Sequence, residues 1–299
     1  MSVRAGLGLG RFPFQNMENY WRWVELCEDS SLDSIWHSDR IVSRGDFMES
    51  ITMMAALAGA TKRIKFGMNS VVLSFRDPVM LAKQCATIDS ISGGRLLPSF
   101  GIGADTAPEF EAAGFSTATR GKRANEALEV MTRLWSEDDV SFAGEFFTLK
   151  NASINPKPAQ KNFPVWIGGT SEAAQWRTAK YGTGWISGLQ SPERVGQVIT
   201  GIKQCLLDTG RHIDDDHYGA TIAYRFASGD DVKAVIVPES LKPLAAVGSA
   251  HDIKALMHRF VDAGASKFVA IPLARNDEDM LEQSELFIQH VLPLLHSYA

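Results

Sequence analysis

Cysteine is scarce in this chain: Cys27, Cys85 and Cys205 are odd in number, far apart and contain no C-x-x-C pair. That argues against a disulfide framework or a thiolate zinc site and fits a reducing cytoplasm. Long apolar runs are missing as well, none approaching the roughly 20 residues of a membrane-spanning helix. The N-terminal MSVRAGLGLGRFPF has no apolar core leading to a small-residue cleavage site, so a soluble, cytoplasmic protein is the expectation. Basic charge is not in excess: 30 Lys and Arg against 35 Asp and Glu give a formal net charge of -5. No global positive field is therefore available for nucleic acid or an anionic membrane. Neither a Gly-x-Ser-x-Gly elbow nor a P-loop occurs, which removes sequence support for serine acyl transfer and for nucleotide hydrolysis. What is present is an ordinary globular composition over 299 residues, 45% apolar and 22% charged, for which small-molecule chemistry is the default.

Short apolar, β-branched or glycine-flanked runs alternate with longer stretches of helical period, the pattern of parallel β/α units. Eight strands are expected, over Val3 to Gly10, Ser34 to His37, Ile64 to Leu73, Arg95 to Gly103, Pro164 to Gly168, Gly184 to Ser187, Gly219 to Arg225 and Lys267 to Pro272. Helices announce themselves by their caps. Asp77-Pro78 opens one with Leu81, Cys85 and Ile88 on a face, and Ser191-Pro192 opens another before Val195, Val198, Ile202 and Leu206. Ser249 with Asp252 reads as a capping box, closed by Gly264. Asn125 to Trp135 and Asp279 to Leu295 are amphipathic, and a further helix begins near Glu172. Eight strand-helix pairs fit an α/β fold of the (β/α)8 barrel type, which takes about 250 residues plus insertions. The insertions are expected at 142–163 and 228–247, and no linker or repeat divides the chain, so 1–299 reads as one barrel domain.

In such a barrel the chemistry sits where strands run into their loops. The polar and glycine residues there are few: Gly8, Gly10 and Arg11; His37, Ser38, Asp39 and Arg40; Asn69 and Ser70; Gly101, Gly103 and Asp105; Gly168 to Ser171; Trp185 and Ser187. Gly6, Gly8 and Gly10 fail the dinucleotide fingerprint because Arg11 falls where the third glycine belongs, and Gly101-x-Gly103 fails at Thr106. Gly168-Gly169-Thr170-Ser171 stands between a strand and a helix, which makes it either a phosphate-binding nest or simply a tight turn. His37 and Asp39 are expected to diverge to opposite sides of their extended segment, poor geometry for a shared metal, and no metal site is expected. His212, His217, His251, His258, His290 and His296 read as solvated surface, and Asp105, Glu109 and Glu111 as a solvated acidic loop. Cys27, Cys85 and the Met and Trp residues read as core, except Trp185, a candidate to line a pocket.

The runs LAKQCATIDSISGGRLLPSFGIG and RGKRANEALEVMTRLWSEDDVSFAGEFFTL, followed by PVWIGGTSEAA, YGTGWI and VGSAHDIKALMHRFVDAGASKFVAIP, resemble the bacterial luciferase-like oxidoreductases in family order over nearly the whole chain. The resemblance implies a (β/α)8 barrel binding reduced flavin mononucleotide (FMN) or the deazaflavin F420 at its C-terminal mouth. It implies Asp39 and Arg40 at the acidic-histidine position, Asn69, Ser70 and Val71 as a bulge behind the flavin ring, and Gly168, Gly169, Thr170 and Ser171 as the phosphate turn. Ser70-Val71 is expected to be strained there, with a non-prolyl cis peptide. Arg120 is a weaker candidate for a second phosphate contact, and Trp185 for a cofactor contact. Two departures matter. Arg40 replaces the histidine that serves many members as a proton donor or flavin partner, and a guanidinium cannot act as a base near neutral pH. His37 is the candidate substitute. Ala104 stands where deazaflavin sugar-phosphate dehydrogenases carry glutamate, which disfavours that substrate class. The resemblance implies a monooxygenase using reduced FMN, O2 and a small substrate, with a separate flavin reductase. The alternatives are an F420-dependent dehydrogenase or reductase and a flavin-binding protein without catalysis. A homodimer is expected on the same ground.

Overall fold

The computed structural model describes residues 3–235 and 237–295; His296, expected on the surface, lies outside them. The expected strands form as β1 (Arg4–Leu9), β2 (Ser34–His37), β3 (Lys65–Val72) and β4 (Leu96–Gly101). An antiparallel hairpin, β5 (Val140–Ala143) and β6 (Thr148–Ala152), follows; then come β7 (Trp166–Ile167), β8 (Gly184–Ile186), β9 (Tyr218–Phe226), β10 (Ala245–Gly248) and β11 (Lys267–Pro272). The helices are α1 (Met17–Glu28), α2 (Ser50–Ala60), α3 (Pro78–Ser92), α4 (Pro108–Ala112), α5 (Arg120–Ser136), α6 (Glu172–Tyr181) and α7 (Pro192–Thr209). After them run α8 (Asp230–Ala234), α9 (Ala250–Asp262), α10 (Asp277–His290) and α11 (Leu292–Leu295).

Eight parallel strands close in the order β1-β2-β3-β4-β7-β8-β9-β11 and back to β1. The caps that end the helices are those the residue types require. Asp77 accepts from Met80 N ahead of Pro78, and Gly93 takes the left-handed conformation (φ 66°) that ends α3. Ser249 and Asp252 form both halves of the capping box, and Gly264 (φ 99°) lies just past the end of α9. The expected helix over 279–295 is two, α10 and α11, with Pro293 just beyond the break.

The first insertion is the β5-β6 hairpin and its return. The second is not only a loop, because it ends in a strand: β10 pairs with the upper half of β9, Ala245 opposite Ala223. Ala223 also pairs with Ile271 of β11, so β10 lies on the other side of β9, along the edge that three-residue β8 leaves open above Ile186.

Alternation along the strands divides the apolar residues into two sets. Ile35, Ile167, Trp185 and Phe268 pack with the helices. Their neighbours Trp36, Trp166, Ile186 and Val269 form a separate cluster that fills the barrel interior. At the N-terminal end the interior is closed by charge: Lys267, 2% exposed, pairs with Asp33, which also meets Lys65 at 3.3 Å, and Arg4 pairs with Asp216.

Candidate functional site

The opposite end of the barrel is open. A cavity of about 210 Å³ is set into the strand ends, with Gly8, His37, Asn69, Gly188, Thr221 and Ile271 in its wall. Through Gly8, Leu9, Gly10 and Ile271 it shares a wall with a larger one of about 690 Å³ under the loops that follow β1, β2 and β11. Glycine at the end of β1 keeps this wall flat, since a Cβ on Gly8 would reach 2.5 Å from Val269.

His37 ends β2 in the smaller cavity. Burial pushes its imidazole down to about 4, so the ring is neutral at pH 7. Its Nε2 lies 3.1 Å from the Tyr20 hydroxyl on α1, whose phenol burial pushes up, and the two rings meet edge to face. The hydrogen bond and the ring contact hold the imidazole in place.

Asp39 is held elsewhere. Its carboxylate, 1% exposed, accepts from Arg76 Nη2 at 2.7 Å, Ser50 Oγ at 2.8 Å and Val72 N at 3.1 Å. His37 and Asp39 do diverge, but strand alternation is not the reason, because residues two apart on a strand share a face. β2 stops at His37, and Asp39 in the following loop is drawn to α2 and the β3 end. Asp39 does not pair with its chain neighbour Arg40; its partner is Arg76. Arg40 reaches instead to Glu109 Oε1 on α4 at 3.4 Å, is 48% exposed, and is absent from the walls of both mouth cavities. Glu109 is therefore not part of a solvated acidic loop; it is buried beneath Arg40, while Asp105 pairs with Arg120 at 3.6 Å.

Opposite His37 the end of β3 is irregular. Its register against β4 shifts between Met68 and Val71, and the cis peptide is Asn69-Ser70, one residue before the expected Ser70-Val71 bond. Asn69 Nδ2 donates to Thr221 Oγ1 at 2.9 Å, which donates to the Ser187 carbonyl at 2.7 Å. This chain of polar groups links β3, β9 and the end of β8. Ser70 Oγ lies 3.0 Å from Ser99 Oγ. Val71 is a correction: its side chain is buried in the helix-facing core, so it supplies spacing and no cavity contact.

The Gly168–Ser171 turn is pinned through its carbonyls. Gly168 N donates to Phe100 O at 2.8 Å, Gly169 O accepts from Trp185 Nε1 at 2.8 Å and Thr170 O from Arg194 Nη2 at 2.9 Å. Ser171 caps α6 through Ala174 N, leaving the earlier first-turn amides without helical acceptors. Trp185 is thus corrected: fully buried in the helix-facing core, it fixes Gly169 and lines neither mouth cavity. Arg120 donates to Thr117 O at 2.7 Å within its own loop and meets Asp105 at 3.6 Å, while its buried Nε has no hydrogen-bond partner.

Tyr20, Arg76 and Thr221 escaped the sequence reading. Thr221 carried a signal, a small hydroxyl set among Ala220, Ile222 and Ala223 of β9. Arg76 sits directly before the Asp77-Pro78 cap. Among the other histidines, His217 is half-buried against the Trp166 ring at 5.7 Å rather than solvated. It groups with Asp214 and Asp216 as the set of potential metal ligands among the described residues, at the N-terminal end and with Asp216 already paired to Arg4.

No helix among the described residues is long and apolar enough to cross a membrane. The family profile described as luciferase-like monooxygenase matches residues 3–235. The 5,10-methylenetetrahydromethanopterin reductase of Archaeoglobus fulgidus is 29% identical over 208 residues, 70% of this chain and 59% of that protein. The chain spans about half the length of the curated relatives it matches. In three dimensions it superimposes on monooxygenase RslO1 from Streptomyces bottropensis with a TM-score of 0.86 at 20% identity, covering 99% of this chain and 100% of that one. On an F420-dependent secondary alcohol dehydrogenase the TM-score is 0.83 at 19% identity, with 99% of each chain covered. These barrels share the fold, and the matched profile covers most of the sequence: the chain belongs to the luciferase-like monooxygenase family.

Proposed function

We propose that this protein is a flavin-dependent monooxygenase that takes reduced FMN from a separate reductase and oxygenates a small organic substrate. The observation that carries the reading is the contact between the glycine turn and the β3 bulge. A Cβ on Gly168 would come 2.8 Å from Ser70 Oγ, so glycine there lets the two features meet, whereas one on Gly101 would make an ordinary contact, 3.5 Å from Ser70 Cβ. One ligand can then place a phosphate on the amides ahead of α6 and a flat ring across the mouth. The donor set fits: amides and a hydroxyl at a helix N-terminus suit a phosphate, and a glycine-lined wall suits a planar ring.

When bound, reduced FMN supplies the two electrons with which O2 oxygenates the substrate, the second oxygen leaving as water. The chain supplies the setting. Asn69 and Thr221 orient one wall by hydrogen bonding. His37, neutral and held by Tyr20, is the proton-handling group of the mouth, the role Arg40 cannot fill. Asp39, tied to Arg76, holds the segment that carries His37. The pairing of chains into a homodimer belongs to the same proposal.

The second reading, hydride transfer with F420, is favoured by the reductase relative that matches 70% of the chain. Titrating purified protein with FMN and F420, then assaying each reduced cofactor under O2 and without it, tests both. FMN binding with substrate-dependent oxygen uptake is expected. F420 binding with cofactor oxidation under anaerobic conditions would replace the first reading by the second.

A further inference from the structure

The cavity of about 690 Å³ carries more cationic charge than its surroundings neutralise. Its floor is apolar, with Phe12, Phe47, Leu273 and Met280, while its rim holds three guanidiniums, Arg11, Arg44 and Arg275, against a single carboxylate, Asp46. All three arginines are exposed. Arg275 is balanced in part by Asp279, whose carboxylate is already bound by Arg225 at 2.7 Å. Among the described residues Arg11 and Arg44 have no carboxylate partner.

The loops that carry these two arginines are fixed relative to each other. Phe12 N donates to Asp46 O at 2.8 Å, joining the β1 loop to the β2 loop. Gln15 N donates to the Asp277 carboxylate at 3.0 and 3.2 Å, anchoring the far end of the β1 loop to α10. In the closed strand order β1 lies four strands from β7, so this rim faces the Gly168 turn from across the mouth. A phosphate on that turn leaves the arginines without an anion.

We propose that the substrate is a carboxylate with an apolar, ring-sized body, its carboxylate held by Arg11 and Arg44 and its body on the apolar floor, across the shared Gly8–Gly10 wall from the cavity that holds His37. A guanidinium fork matches the two oxygens of a carboxylate, and an arginine rim above an apolar floor separates an amphipathic anion from its neutral analogue. This inference rests on the flavin reading for the identity of the site, but its test does not depend on turnover.

Calorimetric titration of the full chain at low ionic strength compares benzoate with benzamide, its uncharged counterpart, alongside a titration with FMN. Benzoate is expected to bind at least tenfold more tightly than benzamide. The double variant Arg11→Ala, Arg44→Ala is expected to lose at least tenfold in benzoate affinity with FMN affinity unchanged, and Arg44→Lys alone to retain part of the preference. Both arginines are exposed, so the fold is not at stake. Equal affinity for the two probes, absence of saturable benzoate binding, or wild-type benzoate affinity in the double variant overturns the proposal. A parallel loss of FMN affinity in the double variant also overturns it, because the arginines would then belong to the cofactor. Wild-type protein that discriminates benzoate yet fails to bind FMN supports the anion site and strikes the flavin reading alone.

Discussion

The two ends of the barrel treat charge in opposite ways. At the N-terminal end Lys267 and Asp33 are buried together. Burial pushes the Asp33 carboxyl up, and the ammonium groups of Lys267 and Lys65 more than reverse this, holding it well below the usual carboxylate range. At the C-terminal end Arg11 and Arg44 stand at a cavity with no carboxylate of their own, and the titratable group set into the strand ends, His37, is uncharged at pH 7. Paired charges close one opening; at the other, unpaired charges and a neutral base leave interactions to be completed by a ligand. The same division separates stability from function in barrels generally.

The sharpest way to break this comparison is to unpair the closed end. Lys267→Ala leaves Asp33 buried with Lys65 at 3.3 Å and the Ser34 hydroxyl at 2.9 Å, and loss of one member of a buried pair costs about 3–5 kcal/mol. Urea unfolding is expected to show that loss while the FMN affinity of the folded protein stays as in wild type. Arg76→Ala is the counterpart at the mouth. Asp39 keeps Ser50 Oγ and Val72 N as donors, so the cost is expected to be smaller, about 2 kcal/mol, but here FMN affinity falls too. Equal effects of the two variants on FMN binding would erase the distinction between the ends.

The next test uses pH. His37 has a folded value of about 4 against about 6.5 in an unfolded chain. A group depressed on folding binds its proton first in the unfolded state. His37 therefore contributes its full stability above pH 6.5 and loses it as pH falls toward 4, for a total of about 3 kcal/mol. Stability measured from pH 7 to 4 is expected to fall more steeply in wild type than in His37→Gln by that amount. Parallel curves would mean that the imidazole titrates in the folded protein as it does in the unfolded chain, so that burial does not hold it neutral.

How much of this was legible depended on whether the determining contacts are local. β2 and β11 fall on their expected residues, Ser34–His37 and Lys267–Pro272, because apolar strand residues and the flanking turns are signals carried within a few positions. The helix caps at Asp77, Ser191 and Ser249 were readable for the same reason, as was the glycine turn at 168–171. The polar wiring of the mouth was not. Asn69 meets Thr221 across 152 positions and Asp39 meets Arg76 across 37, whereas the sequence offers Arg40 as the obvious partner of Asp39. Trp185 shows the converse error: a strand-end position was legible, but one step of alternation decides between cavity and helix layer, and Trp185 falls on the helix side. β10, Ala245–Gly248, was missed because Ala-Ala-Val-Gly holds a single β-branched residue and no aromatic, so nothing local marks it as a strand.

A smaller effect is expected at the glycine turn proposed to hold the cofactor phosphate. Gly169 has φ 105°, and a Cβ there would approach Ala174 Cβ to 3.1 Å. Gly169→Val thus strains the turn and displaces the amides ahead of α6. FMN affinity is expected to drop roughly tenfold, about 1.4 kcal/mol, with riboflavin affinity reduced far less. An equal loss for both ligands would remove the phosphate from this turn.

The least effect is expected at Arg40, the residue that the sequence resemblance sets at the family's histidine position. If it acted as a fixed cation beside the flavin, its removal would slow chemistry in proportion to the charge it stabilises. Its geometry points the other way. The guanidinium is 48% exposed, 3.4 Å from Glu109 Oε1 and outside the walls of both mouth cavities, while Asp39 is committed to Arg76. An ion pair this open to solvent contributes about 0–1 kcal/mol. The buried side of the pair is Glu109, whose Oε2 has no hydrogen-bond partner, so the effect falls toward the upper end of that range. Arg40→Ala is therefore expected to lower stability by no more than about 1 kcal/mol and to leave the rate of a single turnover with bound reduced FMN within twofold of wild type. Arg40→Lys should match it in rate. A graded fall from arginine to lysine to alanine, at unchanged FMN affinity, would restore Arg40 to the chemistry as a fixed cation.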